Sequence, residues 1–291
     1  MMIVAVPNVS EGRDRSVIAA WTAIVEAQGA RVLDVHSDGV HNRSVLTVAG
    51  TPEVVPLAMA ELAACASSID LVAQRGAHPR LGGLDVCPVV ADRIPMETAV
   101  ESAKRVGAAI AERARLPVYL YGAAATRVGN RDLPALRKGG LAALEARARW
   151  GLAPDFGPPI IDPHRGVVCV GARGPLIAFN VWLRCGIQPA RRLAAQVRAS
   201  GGGLPGTRAL GIEMGGGLSQ VSMNLIEPDT TGVDAAFAAV AEPAAAEGIE
   251  VVATEIVGLA PERYLPDPQK RAARLLLRPG RSLESALRDP S

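Results

Sequence analysis

The segment TRALGIEMGGGLSQVSMNLI, Thr207 to Ile226, sets two apolar-rich runs, over 207–213 and 219–226, on either side of Gly215-Gly216-Gly217. Runs of that length read as strands, and so short a connection lets them pair only antiparallel, because a parallel partner needs a crossover. Glycine supplies the positive φ that tight hairpin turns require. Working outward, a helical pattern over 189–199 follows a strand over 176–183, and a helix over 233–248 leads to a strand over 251–257. The order is βαββαβ, the split βαβ plait called ferredoxin-like.

The first half gives the same order. A strand over 3–6 precedes a helix over 14–28 with Val17, Ile18, Trp21, Ile24 and Val25 on one face, ended by Gly29. Short strands over 31–35 and 44–49 follow, then a helix started by Gly50-Thr51-Pro52-Glu53, with Thr51 as cap and Pro52 in the first turn, then a strand over 84–90. A helix over 96–115, a strand over 118–121 and helical turns over 133–149 are appended. The predicted class is therefore α/β (α+β): two tandem ferredoxin-like βαββαβ subdomains with mixed or antiparallel sheets, 1–174 and 175–291. Residues 271–281 read as a solvated, cationic, Leu-rich helix and turn.

Composition narrows the function. With 49% hydrophobic and only 3% aromatic residues, the core must be built from Ala, Val and Leu, and disorder is excluded. Lys plus Arg at 31 against Asp plus Glu at 29 leaves +2, with no basic block interleaved with aromatics, so no nucleic-acid footprint is present and an anionic small molecule stays open. The start, Met1-Met2-Ile3-Val4-Ala5-Val6-Pro7, is too short and uncharged for a signal peptide, and the apolar stretch over 54–72 is interrupted by Glu61 and Asp70. A soluble cytoplasmic protein without membrane partners is expected. Cys65, Cys87, Cys169 and Cys185 form no C-x-x-C pair and read as reduced core thiols.

Four histidines, His36, His41, His78 and His164, limit the acid–base chemistry. The run Asp34-Val35-His36-Ser37-Asp38-Gly39-Val40-His41 has metal-capable groups, but side chains along a strand and turn diverge and no ligand spacing is matched, so no metal is expected. Gly201-Gly202-Gly203 and Gly215-Gly216-Gly217 fit no phosphate-binding fingerprint and read as turns. Gly76-Ala77-His78-Pro79-Arg80-Leu81-Gly82-Gly83 differs, setting an imidazole beside a guanidinium in a loop before a buried-looking strand. The imidazole can carry a proton at neutral pH and the guanidinium can hold an anion, although a His that only hydrogen-bonds the loop fits the spacing equally well.

These segments carry a resemblance. Val6-Pro7-Asn8-Val9-Ser10-Glu11-Gly12, His41-Asn42-Arg43-Ser44-Val45, Gly76-Ala77-His78-Pro79-Arg80-Leu81-Gly82 with Asp85-Val86, Val118-Tyr119-Leu120-Tyr121-Gly122 and Ala153-Pro154-Asp155-Phe156-Gly157-Pro158 resemble the glutamate formimidoyltransferase family. Gly171-Ala172-Arg173, Leu176-Ile177-Ala178-Phe179-Asn180, Gln220-Val221-Ser222-Met223-Asn224-Leu225 and Glu255-Ile256-Val257-Gly258-Leu259 extend the likeness through the second half. The resemblance implies transfer of a formimidoyl group, or a formyl group, between N-formimidoylglutamate and tetrahydrofolate, which is consumed as a co-substrate. It also implies two ferredoxin-like subdomains; holding both substrates together suits a cleft between the two sheets, and such a transfer requires no metal or redox cofactor.

By position, His78 matches the family's catalytic histidine, read as the general acid/base. Substrate binding is implied for Gly157-Pro158-Pro159-Ile160-Ile161-Asp162-Pro163-His164-Arg165-Gly166 and for Gln196, Val197 and Arg198. Asn42, Arg43, Arg80, Asp155 and Arg173 lie in matched motifs and are expected in the substrate pocket, the arginines as partners for the donor's carboxylates. Four positions depart from the family: Ala77 and Ala123 where Glu is usual, Gln74 where His is frequent, and Trp182 where Asn is usual. They leave a rival reading, a non-catalytic folate- or amino-acid-binding relative. A homodimer is left open.

Overall fold

The computed structural model describes every residue except His78, Pro279, Pro290 and Ser291. The chain divides into two compact units, Met1–Gly174 and Pro175–Ser291. Unit 1 contains β1 (Ile3–Ala5), β2 (Asn8–Val9), α1 (Arg15–Ala27), β3 (Arg31–Asp38), β4 (Arg43–Gly50), α2 (Val54–Ala66), β5 (Leu84–Val90) and α3 (Met96–Ala114). It continues with β6 (Val118–Gly122), α4 (Leu133–Arg137), α5 (Gly140–Arg149) and β7 (Val168–Arg173). Unit 2 contains β8 (Ile177–Arg184), α6 (Ile187–Val197), β9 (Thr207–Gly215), β10 (Leu218–Leu225), α7 (Val233–Ala246), β11 (Glu250–Ile256), α8 (Arg271–Arg274) and α9 (Leu283–Arg288).

Unit 2 is a plain plait. Its sheet runs β11-β8-β10-β9 with every neighbour antiparallel. Alternation along β8 and β10 turns Ile177, Phe179, Val181, Leu183, Val221, Met223 and Leu225 toward α6 and α7, where they meet Leu193, Val197, Val240 and Phe237. The β9–β10 hairpin closes on Gly216 and Gly217, both at positive φ (60° and 77°), as primed two-residue turns demand.

Unit 1 is the same plait with an extension. Pro7 has no N–H to donate, and the first strand is split there into β1 and β2. Counting that pair as one strand, the sheet order is β3-β4-β1/β2-β5-β7-β6. The first four positions are antiparallel, and β7 lies between β5 and β6, parallel to both. Asp14 caps α1 by accepting from the Ser16 and Val17 amides, and α1, α2 and α3 cover one sheet face with Trp21, Val25, Met59, Leu62, Val106 and Ile110.

Several boundaries differ from the sequence pattern. The third strand continues from 35 to Asp38, because pairing with β4 as far as Asp38↔Arg43 overrides the polar composition of that end. The second helix begins at Val54 and not at Pro52; Thr51 contributes mainly its backbone carbonyl, which accepts from the Val54 and Val55 amides. Strand β7 was not expected from periodicity at all. The cationic segment 271–281 is helical only over Arg271–Arg274; beyond it, backbone bonds between Thr254 and both Leu275 and Leu277 tie the chain to β11.

Candidate active site

Register defines the face of the first sheet turned away from α1, α2 and α3. Asn8, Val45, Val86, Pro88, Cys169, Gly171, Arg173, Tyr119 and Tyr121 share it, and strand alternation adds Arg43. Leu136 of α4 and Leu144 of α5 cover the part around Tyr119, Tyr121 and Cys169. Burial pushes the Cys169 thiol up to about 12, so it stays neutral, and Cys87 is equally enclosed, while Cys65 and Cys185 are half-buried.

Asp85 enters through a β-bulge. Val9 pairs with Leu84 and Asn8 with Val86, leaving Asp85 as the extra residue, and bulges re-aim side chains in this way. Asp85 is fully buried. Arg43 Nη1 lies 2.6 Å from its Oδ2, Arg137 Nη1 is 3.0 Å from both carboxylate oxygens, and the Leu81 amide donates to Oδ1 at 2.7 Å. Burial pushes the carboxyl's pKa up, but the two guanidiniums and the Leu81 N–H outweigh it and hold the group below the usual carboxylate range. Arg43 also donates from Nε and Nη2 to Asn8 Oδ1, at 3.1 and 3.0 Å, so all three of its nitrogens are committed within the protein.

The segment 74–83 is stitched onto this cluster. Gln74 Nε2 donates to Ser10 O, Ala77 N to Val40 O, Arg80 Nη2 to His41 O, Arg137 Nη2 to Pro79 O at 2.6 Å, and Ser10 Oγ to Gly82 O. His78 itself lies outside the described residues. Asn42, at φ 49°, accepts from the Gly12 amide and donates to Arg75 O, and so holds the neighbouring turn. Arg43, Arg80 and Arg137 gather around Asp85, with Arg13 and Glu11 also acting on Arg80, so cations outnumber anions, and burial lowers the pKa of Arg80 as it does that of Arg43.

The 157–166 segment adjoins the same loop. Gly82 and Gly166 form an antiparallel bridge, and Val167 N donates to Leu81 O at 2.8 Å. Gly166 has φ 72°, and a Cβ there would lie 2.0 Å from Leu81 O, so only glycine permits this approach. His164 Nδ1 meets Asp70 Oδ1 at 2.9 Å and Arg165 Nη2 donates to Ala114 O, while Ile160 is exposed and Ile161 buried.

The remaining expected residues lie outside the Asp85 cluster. Asp155 accepts from the Leu120 amide and from Thr126 Oγ1, with Arg127 alongside, and ties the end of β6 to the following turn. Arg173 sits beside Tyr121; it donates from Nη1 to Gly174 O, and burial lowers its pKa. Gln196, Val197 and Arg198 end α6 in unit 2, where Val197 is in the core and the other two are exposed. Of the departures, Gln74 is engaged with Ser10, Ala77 and Ala123 are exposed, and Trp182 is half-buried on β8. Among the described residues no group of His, Cys, Asp and Glu is arranged to hold a metal, and no helix is long and apolar enough to cross a membrane.

Sequence reasoning missed Asp85 and Arg137 as site residues. An acid inside the otherwise apolar run Leu84–Val90 is a signal that points to the first; nothing in the sequence distinguishes Arg137 from a surface cation at a helix end.

Comparison with known proteins finds the formiminotransferase domain, N-terminal subdomain, over residues 2–173, and the formiminotransferase domain over 178–271. Glutamate formimidoyltransferase of Thermoplasma acidophilum is 38% identical over 279 residues, covering 92% of this chain and 91% of that one. The Streptococcus pyogenes serotype M1 protein of the same name is 36% identical over 272 residues, covering 91% of each. Formimidoyltransferase-cyclodeaminase of Sus scrofa is 38% identical over 279 residues, 91% of this chain and 51% of its own length, so this chain spans about half of that relative.

Proposed function

The chain belongs to the formiminotransferase family, and from that membership we propose that it transfers a formimidoyl group from N-formimidoylglutamate to tetrahydrofolate in the cytoplasm. The observation that supports this most is the cluster of three arginines around one buried carboxylate beside the His78 segment. The surplus of positive charge suits a donor that carries two carboxylates. Arg80 and Arg173 are the cations proposed to meet them, since the nitrogens of Arg43 are already taken by Asn8 and Asp85.

In the proposed reaction the pterin amine attacks the amidine carbon, and His78 takes the proton that the amine loses. The carbon–nitrogen bond to glutamate then breaks, and His78 returns the proton to the departing nitrogen. General acid–base help of this kind contributes ~10²–10⁴-fold, and holding two substrates together adds up to about 7–11 kcal/mol. As written, the reaction asks only for proton transfer and positioning, so chelator treatment is expected to leave turnover intact; activity abolished by chelation and restored by zinc would overturn that expectation.

The resemblance implies Glu at positions 77 and 123, where this chain has Ala, and a pocket without those two anions discriminates less well against a formyl donor, which presents oxygen where the amidine presents nitrogen. The test is an assay of purified protein with both donors and tetrahydrofolate, following the pterin product spectroscopically and including Ala77→Glu. Transfer from formimidoylglutamate, with a formyl side activity that Ala77→Glu reduces, is the expected result. No transfer from either donor refutes the reading.

A further inference from the structure

We infer that Arg137, acting with Asp85, is a positioning residue for the His78 segment; the inference rests on the proposed transfer reaction. Among the described residues of 74–83, Ala77 and Pro79 are exposed while Leu81 is buried, so apolar burial anchors the chain at Leu81 but does not fix its path beside position 78. Hydrogen bonds must do so. The fork of Arg137 donates from Nη2 to Pro79 O at 2.6 Å and from Nη1 to both Asp85 oxygens, while Asp85 Oδ1 accepts from the Leu81 amide at 2.7 Å. One ion pair therefore holds the Pro79 carbonyl and the Leu81 amide, the two peptide groups that flank Arg80.

The chemistry of the pair fits this role better than a role in bulk stability. Two desolvated charges contribute little net stabilisation compared with apolar residues of similar volume, whereas a planar guanidinium fixes two acceptors in one geometry. A lysine in its place keeps the charge beside Asp85 but is a single point donor, unable to reproduce the fork. The consequence falls on rate, because misplacing a reacting group by about 1 Å costs on the order of 10²-fold.

The test is a double-mutant cycle on the full chain with Arg137→Lys, His78→Ala and the double variant, and Arg149→Lys as an exposed control. Arg137→Lys is expected to lower kcat by ~10-fold or more while the KM for tetrahydrofolate changes by less than about two-fold; in the His78→Ala background the same change has almost no effect, because its route runs through His78. An unchanged kcat, or an equal loss in both backgrounds, overturns the inference and leaves Arg137 as an ordinary structural cation. If Arg137→Lys does not fold, Arg137→Gln, which keeps one amide donor for Pro79 O, takes its place in the cycle. A wild type inactive toward the formimidoyl donor refutes the proposed function, and the ¹⁵N imidazole signals then decide the positioning: displaced His78 signals with unchanged His164 signals in Arg137→Lys support it, and unchanged His78 signals overturn it.

Discussion

A carboxylate sealed from water stays ionised at Asp85 because Arg137 and Arg43 flank it and the Leu81 N–H points at it. Removing the charge leaves two guanidiniums buried without their counter-ion, so Asp85→Asn is expected to destabilise the fold by about 3–5 kcal/mol. The pH dependence follows from the direction of the shift. The folded pKa lies below the unfolded value of about 3.9, so the stabilisation is complete above that pH and is lost as pH falls through the lower, folded pKa. Urea titrations of wild type and Asp85→Asn should show a constant gap from pH 8 to about pH 5, narrowing only below about pH 4. A gap already closed at pH 6 would show that Asp85 is not the charged partner. At this scale His78 beside Arg80 among Gly and Pro was conspicuous in the sequence. Arg137 was not, because its partner stands 52 residues away in the chain and no local pattern announces an ion pair of that span.

The β9–β10 hairpin shows how far a local pattern reaches. Three glycines between two apolar runs required a tight turn, and Gly216 and Gly217 take positive φ there. Gly216→Val, a β-branched residue at φ 60°, should cost ~1–3 kcal/mol, while Gly216→Asn should be nearly neutral. Chemical denaturation compares the two, and equal midpoints would show that the turn is relaxed elsewhere. Strand β7 marks the limit of such reading. Its run Val167-Val168-Cys169-Val170 is apolar but short, with Gly166 and Gly171 on either side. Its place between β5 and β6 depends on a parallel pairing that local periodicity does not encode. The bulge that presents Asp85 escaped notice for the same reason, since a bulge exists only with respect to a partner strand.

Over the whole chain, two βαββαβ orders in tandem were readable because each plait is assembled from neighbouring elements joined by short connections. Each unit has its own apolar core. Unit 2 is proposed to take part in folate binding through the exposed end of α6. Arg198→Ala is expected to raise the tetrahydrofolate Kd by the equivalent of ~1.5–3 kcal/mol, the scale of a charged hydrogen bond; calorimetric titration checks it, and an unchanged Kd would assign Arg198 to the solvated surface. The proposal for the chain as a whole is narrower: His78 carries the proton between the two nitrogens that exchange the one-carbon group. The most direct measurement is single-turnover transfer from formimidoylglutamate to tetrahydrofolate by His78→Ala, with the tetrahydrofolate Kd measured on the same preparation. The account predicts a rate lower by ~10²-fold or more at a Kd within about two-fold of wild type, because a proton carrier is lost and little binding surface with it. A His78→Ala protein that transfers the group as fast as wild type would contradict it.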